Sequence, residues 1–151
     1  SGLITGTQWD MMMKFLSDSS DYSDMKSTNW GNYDNVSLTN LRGYYTNVSL
    51  NGSTDGFKNT SDVKTNEGTN SYVLLTTAST EQVLRKGLYD VAGNLWEWTE
   101  EIANDLSNNY YMLRGGCFRY DYDSYPVCYR AYSNATGSNT GNGFRPALFI
   151  K

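Results

Sequence analysis

The chain has 151 residues and a net charge of −4, with 13 tyrosines, 14 glycines and no histidine. The length suits a single domain, the lack of a Lys/Arg-rich run argues against nucleic-acid binding, and no apolar stretch approaches the roughly 20 residues of a membrane-spanning helix. Without histidine, Ser–His and Cys–His catalysis and the usual zinc sites are excluded.

The first predicted element is a helix that begins after Thr5. Thr5 and Gln8 have capping-box spacing, and residues 17–20 are expected to end the helix. One apolar stripe follows at positions i, i+3, i+4 and i+7, formed by Trp9, Met12, Met13 and Leu16. This pattern is typical of a helix that packs on a core.

The rest of the chain predicts short strands and a fold of the α+β class. Residues 18–71 are mostly polar and show no strong period. Strands are expected near 47–50 and at 72–77, 95–99, 110–114, 127–132 and 144–150, with a short helix within 78–86. Many strands after one N-terminal helix indicate α+β architecture, here in one domain over residues 1–151.

Three blocks in the C-terminal half carry a family resemblance. They are Leu88–Thr99 (LYDVAGNLWEWT), Arg114-Gly115-Gly116 and Gly143-Phe144-Arg145. In order and spacing they resemble the formylglycine-generating enzyme branch of the C-type lectin fold. The resemblance implies a C-type lectin-like fold of that subtype, with a short helix, antiparallel strands and long loops.

The same blocks predict which side chains form the core. We expect Trp96, Trp98, Phe144 and Leu148 to be mostly buried. Arg114 and Arg145 are expected to make buried or half-buried hydrogen bonds, because a guanidinium carries five donors in a planar fork.

Catalysis of the family's oxidase type is not expected. In those oxidases two copper-binding cysteines lie just after the Arg-Gly-Gly block, and the matching positions fall near Tyr120 and Tyr125. Cys117 takes a place where the family usually has serine, and Cys128 lies eleven residues later. The copper dithiolate is therefore missing. A Cys117–Cys128 disulfide and two free, inert thiols both remain open.

The resemblance also implies a calcium site beside the Trp-Glu-Trp block. Its ligands would be Asn94, the carbonyl of Leu95 and Glu97, all of them oxygen donors of the kind that calcium prefers. The alternative is a turn in which Glu97 hydrogen-bonds the backbone.

The segment of about residues 117–142 is predicted to form a ligand-binding face. Tyrosines alternate there with Asp, Ser, Asn, Gly and Thr, the composition of antibody paratopes. Within it Phe118 is expected to be buried. The predicted ligand contacts are Tyr120, Asp121, Tyr122, Asp123, Ser124, Tyr125, Tyr129, Tyr132, Asn134, Ser138 and Asn142.

Residue usage in this region also resembles the variable proteins of diversity-generating retroelements. Residues 115–150 contain no Lys, Glu, Gln, Met or Trp, although these types make up 22 of the 151 residues. Randomised adenines in Asn codons, the mechanism of such elements, yield none of those five types. Residues 31–57 also lack them, so a naturally Tyr/Asn/Ser-rich loop surface is the alternative.

These observations favour a non-catalytic binding protein over two alternatives. One alternative is a copper oxidase relative that uses Cys117 and Cys128; the other is a structural domain of a phage tail or surface protein. The expected partner is a protein or cell-surface ligand, without nucleic acid or membrane insertion, for a chain displayed on a cell surface or virion.

Overall fold

The computed structural model describes residues 1–26, 29–59, 71–103 and 110–148. Helix α1 spans Gly6–Leu16, and the capping box predicted at its start is present: the Thr5 hydroxyl accepts from the Gln8 amide, and the Gln8 side chain accepts from the Thr5 amide. Trp9, Met13 and Leu16 are buried and Met12 is half-buried. The predicted helix and its apolar stripe are confirmed.

The strands are short, and most pairings are antiparallel. In chain order they are β1 (Gly2–Leu3), β2 (Tyr44–Ser49), β3 (Lys58–Asn59), β4 (Ser71–Leu75), β5 (Leu84–Arg85), β6 (Leu88–Tyr89), β7 (Trp96–Ile102), β8 (Tyr110–Arg114), β9 (Arg130–Asn134), β10 (Asn142–Phe144) and β11 (Pro146–Ala147). With one short α-helix among the described residues, this is an α+β architecture.

The central sheet has the strand order β10-β7-β8-β9. Strand β10 runs parallel to β7, while β8 and β9 are antiparallel to their neighbours. A second sheet has the order β3-β2-β4, and β1 pairs with β11. The Trp-Glu-Trp block thus lies inside the central sheet, between the Gly-Phe-Arg and Arg-Gly-Gly blocks.

The buried apolar residues form three clusters. The largest surrounds Trp9 of α1 and includes Tyr33, Val91 and Val127. A second joins Leu38 and Leu41 to strand β4. The third consists of Trp96, Leu113 and Cys117 and lies against the central sheet. This third cluster is the floor of the candidate site.

Several element predictions need correction. The helix expected within 78–86 is reduced to a 3-10 turn at Glu81–Val83, followed directly by β5. The strand expected at 127–132 begins only at Arg130, because residues 118–129 form consecutive turns. The strand expected at 144–150 is divided into the ends of β10 and β11, and residues 149 and 150 lie outside the described residues.

Two core predictions are wrong. Phe144 is 70% exposed and Leu148 is 79% exposed. Among the described residues β10 is an edge strand that pairs with β7 alone, and Phe144 is the last of its three residues. Trp98 is half-buried, whereas Trp96 is buried as predicted.

Among the described residues, no helix combines the length and the apolar character needed to cross a bilayer.

Candidate binding site

Four aromatic side chains, which we call the Trp96 cluster, lie at the edge of the third hydrophobic cluster, or third core. Trp96 is 5% exposed and contacts Tyr120, Tyr125 and Tyr129, with ring centroids 6.3, 6.1 and 6.1 Å away. Tyr125 also lies 4.4 Å from Tyr120 and 4.9 Å from Tyr129. Tyr120 and Tyr129 remain 41% and 40% exposed. A buried indole therefore supports phenols that face solvent.

The Arg-Gly-Gly block turns the chain from β8 into this cluster. Gly116 has φ +78°, and a Cβ there would lie 2.5 Å from Tyr33 Cε1 and 2.7 Å from the Tyr125 carbonyl oxygen. Only glycine allows this backbone conformation and this close approach together. Phe118 follows and is fully buried, as predicted. Its amide donates to the Asn94 carbonyl, 3.1 Å away, so the loop is tied to the Trp-Glu-Trp block.

Backbone hydrogen bonds hold the turns of residues 118–129, which we call the tyrosine loop, in place. The Tyr120 amide donates to the Cys117 carbonyl, and the Tyr120 carbonyl accepts from Asp34, at 3.1 and 3.0 Å. The Asp121 carboxylate accepts from the Ser124 amide at 2.6 Å. That hydrogen bond is the main cause that lowers the pKa of Asp121. Main-chain hydrogen bonds therefore position the loop. The rings of Tyr120, Tyr125 and Tyr129 pack against one another.

A shallow pocket of about 210 Å³ opens beside the cluster. We call it the tyrosine pocket. It is lined by Trp96, Leu113, Cys117, Arg119, Tyr120, Tyr125, Ala131, Tyr132, Ser133, Asn139 and Asn142. Four of the predicted ligand contacts, Tyr120, Tyr125, Tyr132 and Asn142, therefore border one cavity. Sequence reasoning missed Arg119 and Asn139, although both lie within the predicted segment.

The remaining tyrosines have different surroundings. Tyr122 packs against the Trp9 core with its ring centroid 6.3 Å from Tyr33, and its amide donates to Asn35. Tyr132 borders the pocket, but its ring pairs with Tyr110 at 5.8 Å. In the strand register Tyr132 lies opposite Met112, whereas Ala131 lies opposite Leu113 on the Trp96 side. Neither ring belongs to the Trp96 cluster.

The other predicted contacts lie in turns or at strand ends. Asp123, Ser124 and Ser138 are exposed, and Asn134 is half-buried at the end of β9. Asn134 accepts hydrogen bonds from the Thr136 amide and hydroxyl. None of these four residues lines the tyrosine pocket.

The two cysteines are free thiols in different surroundings. Cys117 is buried in the third core, and burial raises the pKa of its thiol to about 11. Cys128 packs half-buried against the Trp9 core, and desolvation raises the pKa of its thiol as well. At neutral pH both are protonated and therefore weak nucleophiles and weak metal ligands.

The residues expected to bind calcium are engaged by the protein itself. Both carboxylate oxygens of Glu97 accept from Arg145, at 2.7 and 2.9 Å. The Asn94 side-chain oxygen accepts from Asn32 and from the Leu75 amide, at 2.9 and 3.1 Å. A guanidinium thus occupies the cationic position beside Glu97. This donor set does not fit a calcium ion, and calcium has no part in the function proposed below.

The acidic side chains elsewhere in the described residues do not converge either. Among residues 1–26, 29–59, 71–103 and 110–148, no group of three or more Asp, Glu or Cys side chains is placed to hold a metal ion. Burial raises the pKa of both Glu97 and Asp90, while Arg145 counteracts this by favouring the ionised carboxylates. As predicted, Arg145 hydrogen-bonds in a half-buried place, and Arg114 is buried with its guanidinium paired to Asp10.

The three sequence blocks are thus neighbours around one sheet, and comparison with known proteins identifies their family. Residues 17–149 match the sulfatase-modifying factor enzyme 1-like domain. The chain belongs to this family. The formylglycine-generating enzyme-like character predicted from the three blocks is confirmed.

One curated relative shares part of the domain. The chain is 35% identical over 81 residues to a protein of Chlamydia caviae named serine/threonine-protein kinase pkn1. The aligned part covers 43% of this chain and 13% of that protein. The chain therefore spans a small fraction of that relative's length, and the kinase name describes the relative alone. No solved structure matches the chain.

Proposed function

We propose that this member of the sulfatase-modifying factor family is a non-catalytic binding module whose ligand face is the Trp96 cluster with the tyrosine pocket. The observation that carries the proposal is the set of exposed phenols supported by a buried indole. Tyrosine offers a large amphipathic contact surface at low entropic cost, and such rings are enriched where proteins bind one another.

The chemistry of the site supports binding rather than reaction. The positions that the family's oxidases give to copper-binding cysteines fall near Tyr120 and Tyr125, whose rings contact each other with centroids 4.4 Å apart. Cys117 lines the pocket as a protonated thiol. The chain has no histidine to act as a base. The missing pair of cysteines removes the copper ligands that the family's oxidases use, and a protonated Cys117 is a weak nucleophile.

The finer form of the proposal is a variable protein of a diversity-generating retroelement on a C-type lectin-like scaffold. Backbone hydrogen bonds position the loop, so side chains at Tyr120 and Tyr129 can change without loss of the main-chain path. The missing residue types in 115–150 support the same interpretation. The neighbouring DNA tests it: a reverse transcriptase gene and a near-copy of the segment that differs at adenines are expected.

A display experiment tests the binding function directly. Positions 120, 125, 129 and 142 are randomised to Tyr, Asn, Asp, Ser and Gly, and the library is selected first for folding and then for binding to hen lysozyme as a model protein. We expect most members to fold and a minority to bind. A library that largely fails to fold would contradict the proposal.

Two further measurements address the alternatives. Copper-dependent oxidation of a cysteine-containing peptide by the purified chain would overturn the non-catalytic assignment. A defined oligomer that buries Tyr120 and Tyr129, detected by solution mass and by loss of tyrosine accessibility, would favour a structural domain instead.

A further inference from the structure

Arg119 is the one charged side chain among the described residues that line the tyrosine pocket. It follows the buried Phe118, and its guanidinium carbon lies 5.6 Å from the centroid of that ring. Its Nη2 donates to the Thr140 hydroxyl at 2.5 Å. Stacking on one side and a hydrogen bond on the other hold the guanidinium at the pocket, so little side-chain entropy remains to be lost on binding.

Hydrogen-bond donors are in excess around Arg119. A guanidinium has five donors and no acceptor. The Arg119 Nε is buried and has no acceptor among the described residues, and Nη2 donates to Thr140, so the remaining N–H groups are the ones that a ligand could meet. The Asn139 side-chain oxygen accepts from the Gly141 amide at 2.7 Å, which leaves the amide NH₂ as the group that Asn139 offers to a ligand. Among the residues that the structure describes, no Asp or Glu lines the pocket. The pocket therefore presents donors and one positive charge beside aromatic rings.

We infer that the tyrosine pocket receives an Asp or Glu side chain of a protein partner, with Arg119 as the cationic contact. This inference rests on the proposed binding function. Arginine and carboxylate form short, charge-assisted hydrogen bonds of matched planar geometry, and Tyr120 and Tyr125 flank the aliphatic part of such a side chain. The chain as a whole carries −4, so local pairing rather than long-range attraction selects the acidic group.

The test begins with parallel selections of one displayed library of random peptides. The baits are the full chain, Arg119→Gln and Arg130→Gln. Arg130 is the matched control, because it is exposed, pairs with Glu101 and does not line the pocket. We expect Asp and Glu to be enriched in peptides selected on the native chain and on Arg130→Gln, and not in those selected on Arg119→Gln. Thermal unfolding of each bait establishes that it is folded.

Matched synthetic peptides then measure the effect of the charge. Replacing the enriched Glu by Gln in a selected peptide should weaken binding to the native chain by roughly tenfold or more, as expected for a hydrogen bond between charged groups. The same replacement should change binding to Arg119→Gln little. Arg119→Lys, which keeps the charge and loses the planar fork, should fall between the two.

The outcomes separate this inference from the proposed function. Equal binding of the Glu and Gln peptides, or enrichment of Lys and Arg, would overturn the acidic partner while leaving the tyrosine face as a binding surface. If no peptide binds, or if Tyr120→Ser leaves the binding of every selected peptide unchanged, both the inference and the proposed function fail.

Discussion

Trp96 and Glu97 are adjacent in β7 but project to opposite faces of the central sheet, as neighbours in a strand do. On the Glu97 side, Arg145 binds both carboxylate oxygens and the carbonyls of Tyr89 and Asp90. On the Trp96 side, the Tyr120 and Tyr129 rings are about two-fifths exposed, and the Arg119 Nε has no acceptor among the described residues. The Glu97–Arg145 contacts therefore stabilise the fold, whereas the exposed rings on the Trp96 side are the groups that the proposed function assigns to a ligand.

Replacing Trp96 with Ala should have the largest effect on stability, because this side chain is buried in the core and also contacts three tyrosine rings. Loss of a buried aromatic side chain costs about 3–5 kcal/mol of unfolding free energy, and three tyrosines lose their common contact. Trp98→Ala should cost less, since Trp98 is half-buried. Denaturant unfolding of both variants measures the difference. A greater loss from Trp98→Ala would contradict the assignment of Trp96 as the central residue.

Arg145→Ala should be the next most damaging change. It leaves the Glu97 carboxylate buried without a counter-charge, and breaking a buried pair costs up to about 3–5 kcal/mol. Arg145 is itself partly exposed, so we expect about 2–3 kcal/mol in denaturant unfolding, smaller than the fully buried limit.

The control for this comparison is Arg130→Ala. Its partner Glu101 lies in a more exposed pair, and exposed pairs contribute about 1 kcal/mol or less. If the two arginine variants lose the same stability, the Glu97 side of the sheet is not the closed network described above.

Gly116→Ala should destabilise the chain more than Gly87→Ala does. Both glycines have positive φ, +78° and +85°, but a Cβ at Gly116 meets Tyr33 and the Tyr125 carbonyl, whereas open space surrounds Gly87. Backbone strain alone costs about 1–3 kcal/mol, and only Gly116→Ala adds the clash. Thermal unfolding ranks the two variants. Near-UV circular dichroism should change for Gly116→Ala alone, because Tyr125 must move.

The sequence predicted correctly those elements that neighbouring residues in the chain determine. The capping box of Thr5 and Gln8 fixes the start of α1, and the apolar run before Thr76 identifies β4. The family blocks correctly placed Arg114 and Arg145 in hydrogen bonds at buried or half-buried positions. In each case, the residues that determine the feature are close in the chain or belong to a recognisable block.

The features that could not be predicted from the sequence depend on tertiary packing: which strand is at a sheet edge, and to which side a loop directs its side chains. Phe144 is apolar and lies in a family block, yet it is exposed at the end of β10, an edge strand in the described part of the chain. Tyr120 and Tyr122 have strand-like spacing, yet turns send one ring to Trp96 and the other to Tyr33. Glu97 and Arg145 are 48 positions apart in the sequence, and their pairing joins two blocks whose proximity only the fold establishes.

The smallest losses of stability are expected from replacing the exposed tyrosines. These variants give the most direct test of the difference between the two faces of the sheet. Tyr120→Ser and Tyr129→Ser each remove a ring that is about two-fifths exposed, so each should cost about 1 kcal/mol, the order of one aromatic contact. Tyr122→Ser removes a ring packed against Tyr33 and the Trp9 core, and should cost more than about 2 kcal/mol, as loss of core packing does. Thermal unfolding of the three single variants decides. If Tyr120→Ser and Tyr129→Ser unfold as early as Tyr122→Ser, the phenols of the Trp96 cluster are structural, and the division between a stabilising face and a binding face is wrong.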